Sequence, residues 1–148
     1  MIRLSQRLAL IAASAVLTAC AKEPETSDVT VSITSPAEGD TVSGSAVHIT
    51  LDATGIEIAP AADARPETAH HHLYLDVDFP QVETSIPMGV GGVVHLGQAQ
   101  KEYHWENVTP GPHRIIAVLA DPGHFPLTPW VTDTVNFVVR APADTATK

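Results

Sequence analysis

The sequence predicts an all-β domain, an antiparallel β-sandwich of about seven strands. Three observations carry that prediction. Apolar residues past the N-terminus recur with a period of two, the spacing of strands, not that of helices. Twelve prolines and nine glycines interrupt the chain too often for long helices. Of the 148 residues 44% are hydrophobic but only 5% aromatic, so a core exists and must be built mainly from Val, Ile, Leu and Ala.

The elements follow in order. Val29, Val31 and Ile33 alternate with Thr30, Ser32 and Thr34, which gives a first strand over 29–34. Val47, Ile49, Leu51 and Ala53 alternate with His48, Thr50 and Asp52 in a second, over 45–53. In a third, over 71–78, Leu73, Leu75 and Val77 alternate with Tyr74, Asp76 and Asp78. Each of these has one apolar and one wet face. Shorter strands are expected over 92–96 and 101–106. A sixth, over 113–120, is apolar on both faces from Ile115 to Ala120 and is therefore central. Val135, Phe137 and Val139 mark a seventh over 133–140. Turn residues separate the runs: Ser35-Pro36, Thr54-Gly55, Phe79-Pro80, Thr109-Pro110-Gly111-Pro112 and Asp121-Pro122-Gly123. Seven short strands at this spacing are the immunoglobulin-like pattern, here without the Cys pair of antibody domains. The stretches 55–69 and 79–91 are long for hairpin loops, and long ordered loops tend to carry function.

The N-terminus reads as an address. Arg3 and Arg7 precede an apolar stretch, Leu8 to Leu17, that is too short for a permanent membrane span. Leu17-Thr18-Ala19-Cys20 resembles the lipobox of bacterial lipoproteins, and the chain's single Cys stands where lipid would be attached. The expected organisation is a lipoprotein signal peptide over 1–19, a lipidated tether over 20–28, the sandwich over 29–140 and a flexible tail over 141–148. The expected location is the periplasmic face of the cell envelope. Two or more acyl chains on Cys20 would anchor the protein in the membrane. Ala21 in place of an Asp favours the outer membrane.

Charge narrows the partners. Eight Lys and Arg stand against 17 Asp and Glu, a net −9 at neutral pH. That balance argues against nucleic acid, whose affinity comes mainly from cations on phosphates. A single Cys excludes both a disulfide framework within the chain and a Cys-based zinc site. No nucleotide-binding loop, GxSxG or HExxH occurs, so an enzyme is not expected. Asp76 and Asp78 share a strand face, which alternation alone explains without acid–base chemistry.

Several short segments occur together: Gly55-Ile56-Glu57-Ile58-Ala59-Pro60-Ala61, His70-His71-His72-Leu73-Tyr74-Leu75-Asp76, His95-Leu96-Gly97 with Gln100, Pro110-Gly111-Pro112-His113, and Asp121 with His124-Phe125-Pro126. In this order they resemble a bacterial envelope family known as the domain of unknown function numbered 4399, from about Gly55 to Val139. The resemblance implies an extracytoplasmic β-sandwich and carries no activity. Val93 and Leu127 stand where two His of the family pattern would be, which thins any His site shared with relatives.

Eight His equal all Lys and Arg together. In immunoglobulin topology the third and sixth strands are neighbours. His70, His71 and His72 begin the third strand, His95 ends the fourth, and Asp121 and His124 follow the sixth. All therefore converge on one rim. His70 and His72 share a face about 6–7 Å apart at the backbone, a spacing that suits chelation. Imidazole is a ligand for Zn(II), Cu(II) or Ni(II). The candidate ligands are His70, His72, His95, His124 and Asp121. His71 points toward the core edge and is expected to be structural. So is His113, placed where a corner Tyr often sits and bonded to backbone upstream. His48 and His104 are expected on solvated strand faces.

The leading expectation is an envelope-anchored, non-catalytic binding module whose rim takes a transition metal, copper or zinc. The alternative is a structural or protein-interaction domain in which the His residues brace loops through carbonyl hydrogen bonds.

Overall fold

The computed structural model describes residues 29–141. The expected signal peptide, the lipid site at Cys20, the tether and residues 142–148 lie outside the described residues. Among the described residues nine strands form: β1 (Thr30–Ser35), β2 (Thr41–Ser43), β3 (Val47–Thr54), β4 (Glu57–Ile58), β5 (Thr68–Leu75), β6 (Val93–Leu96), β7 (Glu102–Trp105), β8 (Gly111–Ala120) and β9 (Thr132–Arg140). The fold is all-β. The seven expected strands are all present, each within three residues of its expected bounds. β2 and β4 were not expected. At three and two residues they are too short to show a period, and only their neighbours reveal them.

Two sheets pack face to face. One has the order β1-β3-β7; the other runs β2-β9-β8-β5-β4, with β6 also on β5. The long pairings are antiparallel, as expected, but β2 joins β9 and β4 joins β5 in parallel. β8 lies between β5 and β9, which accounts for its two apolar faces. Inward residues of both sheets meet in one core that includes Val31, Ile49, Leu51, Leu73, Ile115 and Phe137. Here alternation works as read: β1, β3 and β9 alternate buried and exposed residues.

Two differences position the site. In the constant-type immunoglobulin order the fourth long strand joins the first sheet. Here its counterpart, β6, pairs with β5, and His95 stands directly opposite His72. The second difference concerns the outer face of β5, which is not wet. Seven of its eight residues are buried, Tyr74 and all three His among them. The neighbouring face of β8 presents Ile116, Val118 and Ala120 beside Tyr74, His72 and His70. A second, smaller core forms there from Tyr74, Phe79, Ile86, Val118 and Ala120. Phe79 and Ile86 come from the long loop after β5, so that loop roofs the sheet. Trp130, from the β8–β9 connection, meets Phe79 edge-on with ring centres 6.4 Å apart.

β5 also begins and ends three residues earlier than expected. Asp76 stops it by taking φ 57°, in the left-handed region. Its N–H donates to the Arg114 carbonyl, and its carboxylate accepts from the Arg114 N–H at 2.9 Å. Asp76 and Asp78 therefore do not line one wet strand face with Tyr74.

Candidate metal centre

Four imidazoles meet at the end of β5. His70 and His72 stand two residues apart on its outer face. His95 comes from the antiparallel neighbour β6, and His124 from the turn after β8. One nitrogen from each lies within 4.8 Å of the others, the one such cluster of three or more potential ligands found among the described residues. His70 and His72 are fully buried; His95 and His124 are half-buried and form the solvent side.

The turn that delivers His124 is tightly specified. His124 takes φ 66°. Its N–H donates to the Asp121 carbonyl, and its own carbonyl accepts from Ile86 N–H, each at 2.9 Å. The Asp121 carboxylate accepts from the Phe125 N–H at 2.9 Å. Asp121, expected among the ligands, is not one of the four converging groups. It shapes the turn, and its charge acts on His70 from a distance. Gly97 was not singled out from sequence as part of the site. A Cβ there would stand 2.2 Å from His95 Cε1, so only glycine leaves room for the His95 ring. The hint in sequence is its place two residues after His95, in one of the segments that carry the family resemblance.

The nitrogens are close. His70 Nε2 lies 3.0 Å from His72 Nε2 and 3.2 Å from His124 Nδ1. Two imidazole lone pairs this near repel unless a proton or a cation lies between them. His72 Nδ1 and His95 Nε2 are buried with no hydrogen-bond partner. Burial pushes His70 down to about 4, helped by His95 and His124. It pushes His72 down to about 3, helped by His70. His95 is lowered too, by burial and then by His124. These rings are thus held neutral, the form that ligates metal.

The remaining histidines differ. His71 points the other way, and its Nδ1–H donates to the Gln100 carbonyl at 3.1 Å; burial lowers its pKa. His113 donates from Nε2 to the Thr109 carbonyl at 2.6 Å, four residues upstream, and from Nδ1 to Asp76 at 2.7 Å. Burial lowers its pKa, but the Asp76 and Thr109 bonds outweigh that and the net shift is upward. His48 and His104 are exposed and stack across β3 and β7 at 4.2 Å. At the opposite end of β5 a groove of about 580 Å³ includes Asp76, His113, Arg114 and Glu38 in its walls. The Asp76 carboxylate there is bonded to His113 and Arg114, and that of Glu38 to Asn136.

Residues 49–140 match the family described as Domain of unknown function (DUF4399), well over half of the chain. The chain belongs to the DUF4399 family. The match spans β5, β6 and the turn bearing His124, hence all four clustered histidines, and the family's description assigns no activity. No curated protein sequence matches this DUF4399 chain. Among solved structures it is similar to an engineered protein at 13% identity and TM-score 0.47, covering 76% of this chain and a fifth (20%) of that one. It is also similar to the fibronectin(III)-like modules of Clostridium thermocellum CbhA (20% identity, TM-score 0.46, covering 76% and 99%). A third similar structure is the PKD domain of human KIAA0319 (12% identity, TM-score 0.40, covering 81% and 88%).

Proposed function

We propose that this DUF4399 domain is a non-catalytic binding module that takes a transition-metal ion through His70, His72, His95 and His124. The observation that carries the proposal is the approach of four imidazole nitrogens, from three separate segments, to within 4.8 Å of one another. Without an ion the cluster is costly, because His95 Nε2 has lost water without gaining a partner and His70 Nε2 crowds the nitrogens of His72 and His124. A bound cation would satisfy one nitrogen on each ring.

The bracing alternative has its own support in His71 and His113, each bonded to a loop carbonyl. It does not extend to His70, His72 and His124, whose ring contacts are to one another, nor to His95, whose Nε2 has no partner. The two roles therefore divide between different histidines.

The proposal also places the protein on the periplasmic face of the envelope, anchored by lipid on Cys20, with the outer membrane favoured by Ala21. The lipobox-like Leu17-Thr18-Ala19-Cys20 supports this. The chain enters β1 at Thr30, opposite Thr54, which leads within three residues to β4 beside the start of β5. Anchor and histidine rim would then share one end of the sandwich.

The test is thermal melting of untagged protein with and without Zn(II) or Cu(II). A native-state ligand raises stability by mass action, about 2.7 kcal/mol at a hundred times Kd. Wild type is expected to melt higher with metal. His70→Ala with His72→Ala is expected to lose that shift, and His48→Ala with His104→Ala to keep it. A wild-type melt indifferent to metal leaves only the bracing role.

A further inference from the structure

We infer that the four histidines form a tetrahedral, coordinatively saturated centre for a d10 ion, Zn(II) or Cu(I), in preference to a tetragonal ion such as Cu(II) or Ni(II). The inference rests on the metal-binding reading above and adds the class of ion and the role of the site.

The argument is geometric. The six distances between the four ring centres are 4.9, 4.9, 5.0, 5.0, 5.7 and 4.7 Å. Any four points in one plane, as the ligands of square-planar Cu(II) or Ni(II) are, have a longest separation at least about 1.4 times the shortest. Here the longest and shortest are 5.7 and 4.7 Å, a ratio of about 1.2. The four rings thus stand at the corners of a tetrahedron. The fold explains why. His70 and His72 lie along one strand and His95 directly across from His72, so three rings rise from the sheet as a triangular base. His124 descends from the β8–β9 turn as the apex.

The nitrogen spacing is compatible with one ion. A metal–nitrogen bond of about 2.0–2.1 Å in a tetrahedral site sets its ligand nitrogens about 3.4 Å apart. His70 Nε2 stands 3.0 and 3.2 Å from two of its neighbours and all four ligand nitrogens lie within 4.8 Å of one another, so binding opens the shortest pairs slightly and draws the wider ones in. Four protein nitrogens fill four-coordination and leave no position for a substrate or a reactive water, unlike catalytic zinc sites with three protein ligands. The ion's role is then to tie β5, β6 and the β8–β9 turn together. The hydrogen bond from Ile86 N–H to the His124 carbonyl extends that tie to the loop roofing the second core.

The test uses untagged protein stripped by chelator and loaded with Co(II), a spectroscopic substitute for Zn(II). One equivalent is expected to give the intense visible bands of tetrahedral cobalt, and Zn(II) to abolish them. X-ray absorption of the zinc form is expected to show four nitrogens at about 2.0–2.1 Å and no further ligand. His124→Ala, a change in a surface turn, is expected to lower zinc affinity at least tenfold and to add an oxygen ligand. Under anaerobic competition, zinc retention assigns Zn(II) and its displacement assigns Cu(I); either supports a d10 site. Bound Co(II) with the weak spectrum of six-coordination, or zinc with a fifth ligand, overturns the tetrahedral inference while leaving metal binding intact. Failure of every ion to bind overturns the metal-binding reading and this inference together.

Discussion

The imidazole of His95 occupies the space that a side chain on Gly97 would need. A Cβ there would stand 2.2 Å from His95 Cε1 and 2.5 Å from Nε2, far inside van der Waals contact. Gly97 is not in the left-handed region, so its value lies in what it leaves empty, unlike Gly92 at φ 80°.

Gly97→Ala therefore displaces the His95 ring and spoils one corner of the cluster. Zinc affinity measured by chelator competition is expected to fall by about 10–100-fold, the range seen when residues that orient metal ligands are changed. Unchanged affinity would mean that His95 is not a ligand.

The strand expected to be central on sequence grounds is central in the sheet order. Ile115 and Leu119 on β8 are both fully buried. Ile115→Ala or Leu119→Ala is expected to cost about 2–5 kcal/mol in chemical denaturation, through lost burial plus the cavity left behind. Val138→Ala, on the exposed side of β9, is expected to stay within about 0.5 kcal/mol of wild type.

His113 gives the fold a pH dependence of definite sign. Its folded pKa is raised, with the Asp76 and Thr109 bonds outweighing burial. Below about 6.5, the usual His value, the folded and unfolded states both hold the proton and the stabilisation is complete. As pH climbs through the raised folded value, the unfolded state has already released its proton and the stabilisation is lost. The effect is expected to be about 1 kcal/mol, discounted because Asp76 is half exposed. Denaturation midpoints between about pH 5 and 9 are expected to lose this component in His113→Gln. A wild type and variant with parallel pH profiles would remove His113 as its source.

The N-terminal address is tested by Cys20→Ser. The wild-type protein is expected to incorporate labelled fatty acid and partition into detergent. The variant is expected to do neither. Labelling that persists in the variant would show that Cys20 is not the lipid site.

The sequence alone specified the strand framework, because alternation reports burial wherever one face meets the core and the other meets water. β1, β3 and β9 obey that rule residue by residue. It also determined which histidines share a rim, since chain direction in a sandwich places the ends of successive strands. What that rim becomes depends on packing between segments. β5 is buried on both faces because the loop that follows it folds Phe79 and Ile86 back over its outer face, and the period within the strand does not record a roof contributed from outside it. β6 pairs with β5 through backbone hydrogen bonds, which carry no sequence signature, and that pairing sets His95 opposite His72. Asp121 looked like a ligand by residue type but spends its carboxylate on the Phe125 N–H. The small distances that turn four nearby histidines into one tetrahedral cluster belong to side-chain packing, which neither composition nor spacing encodes.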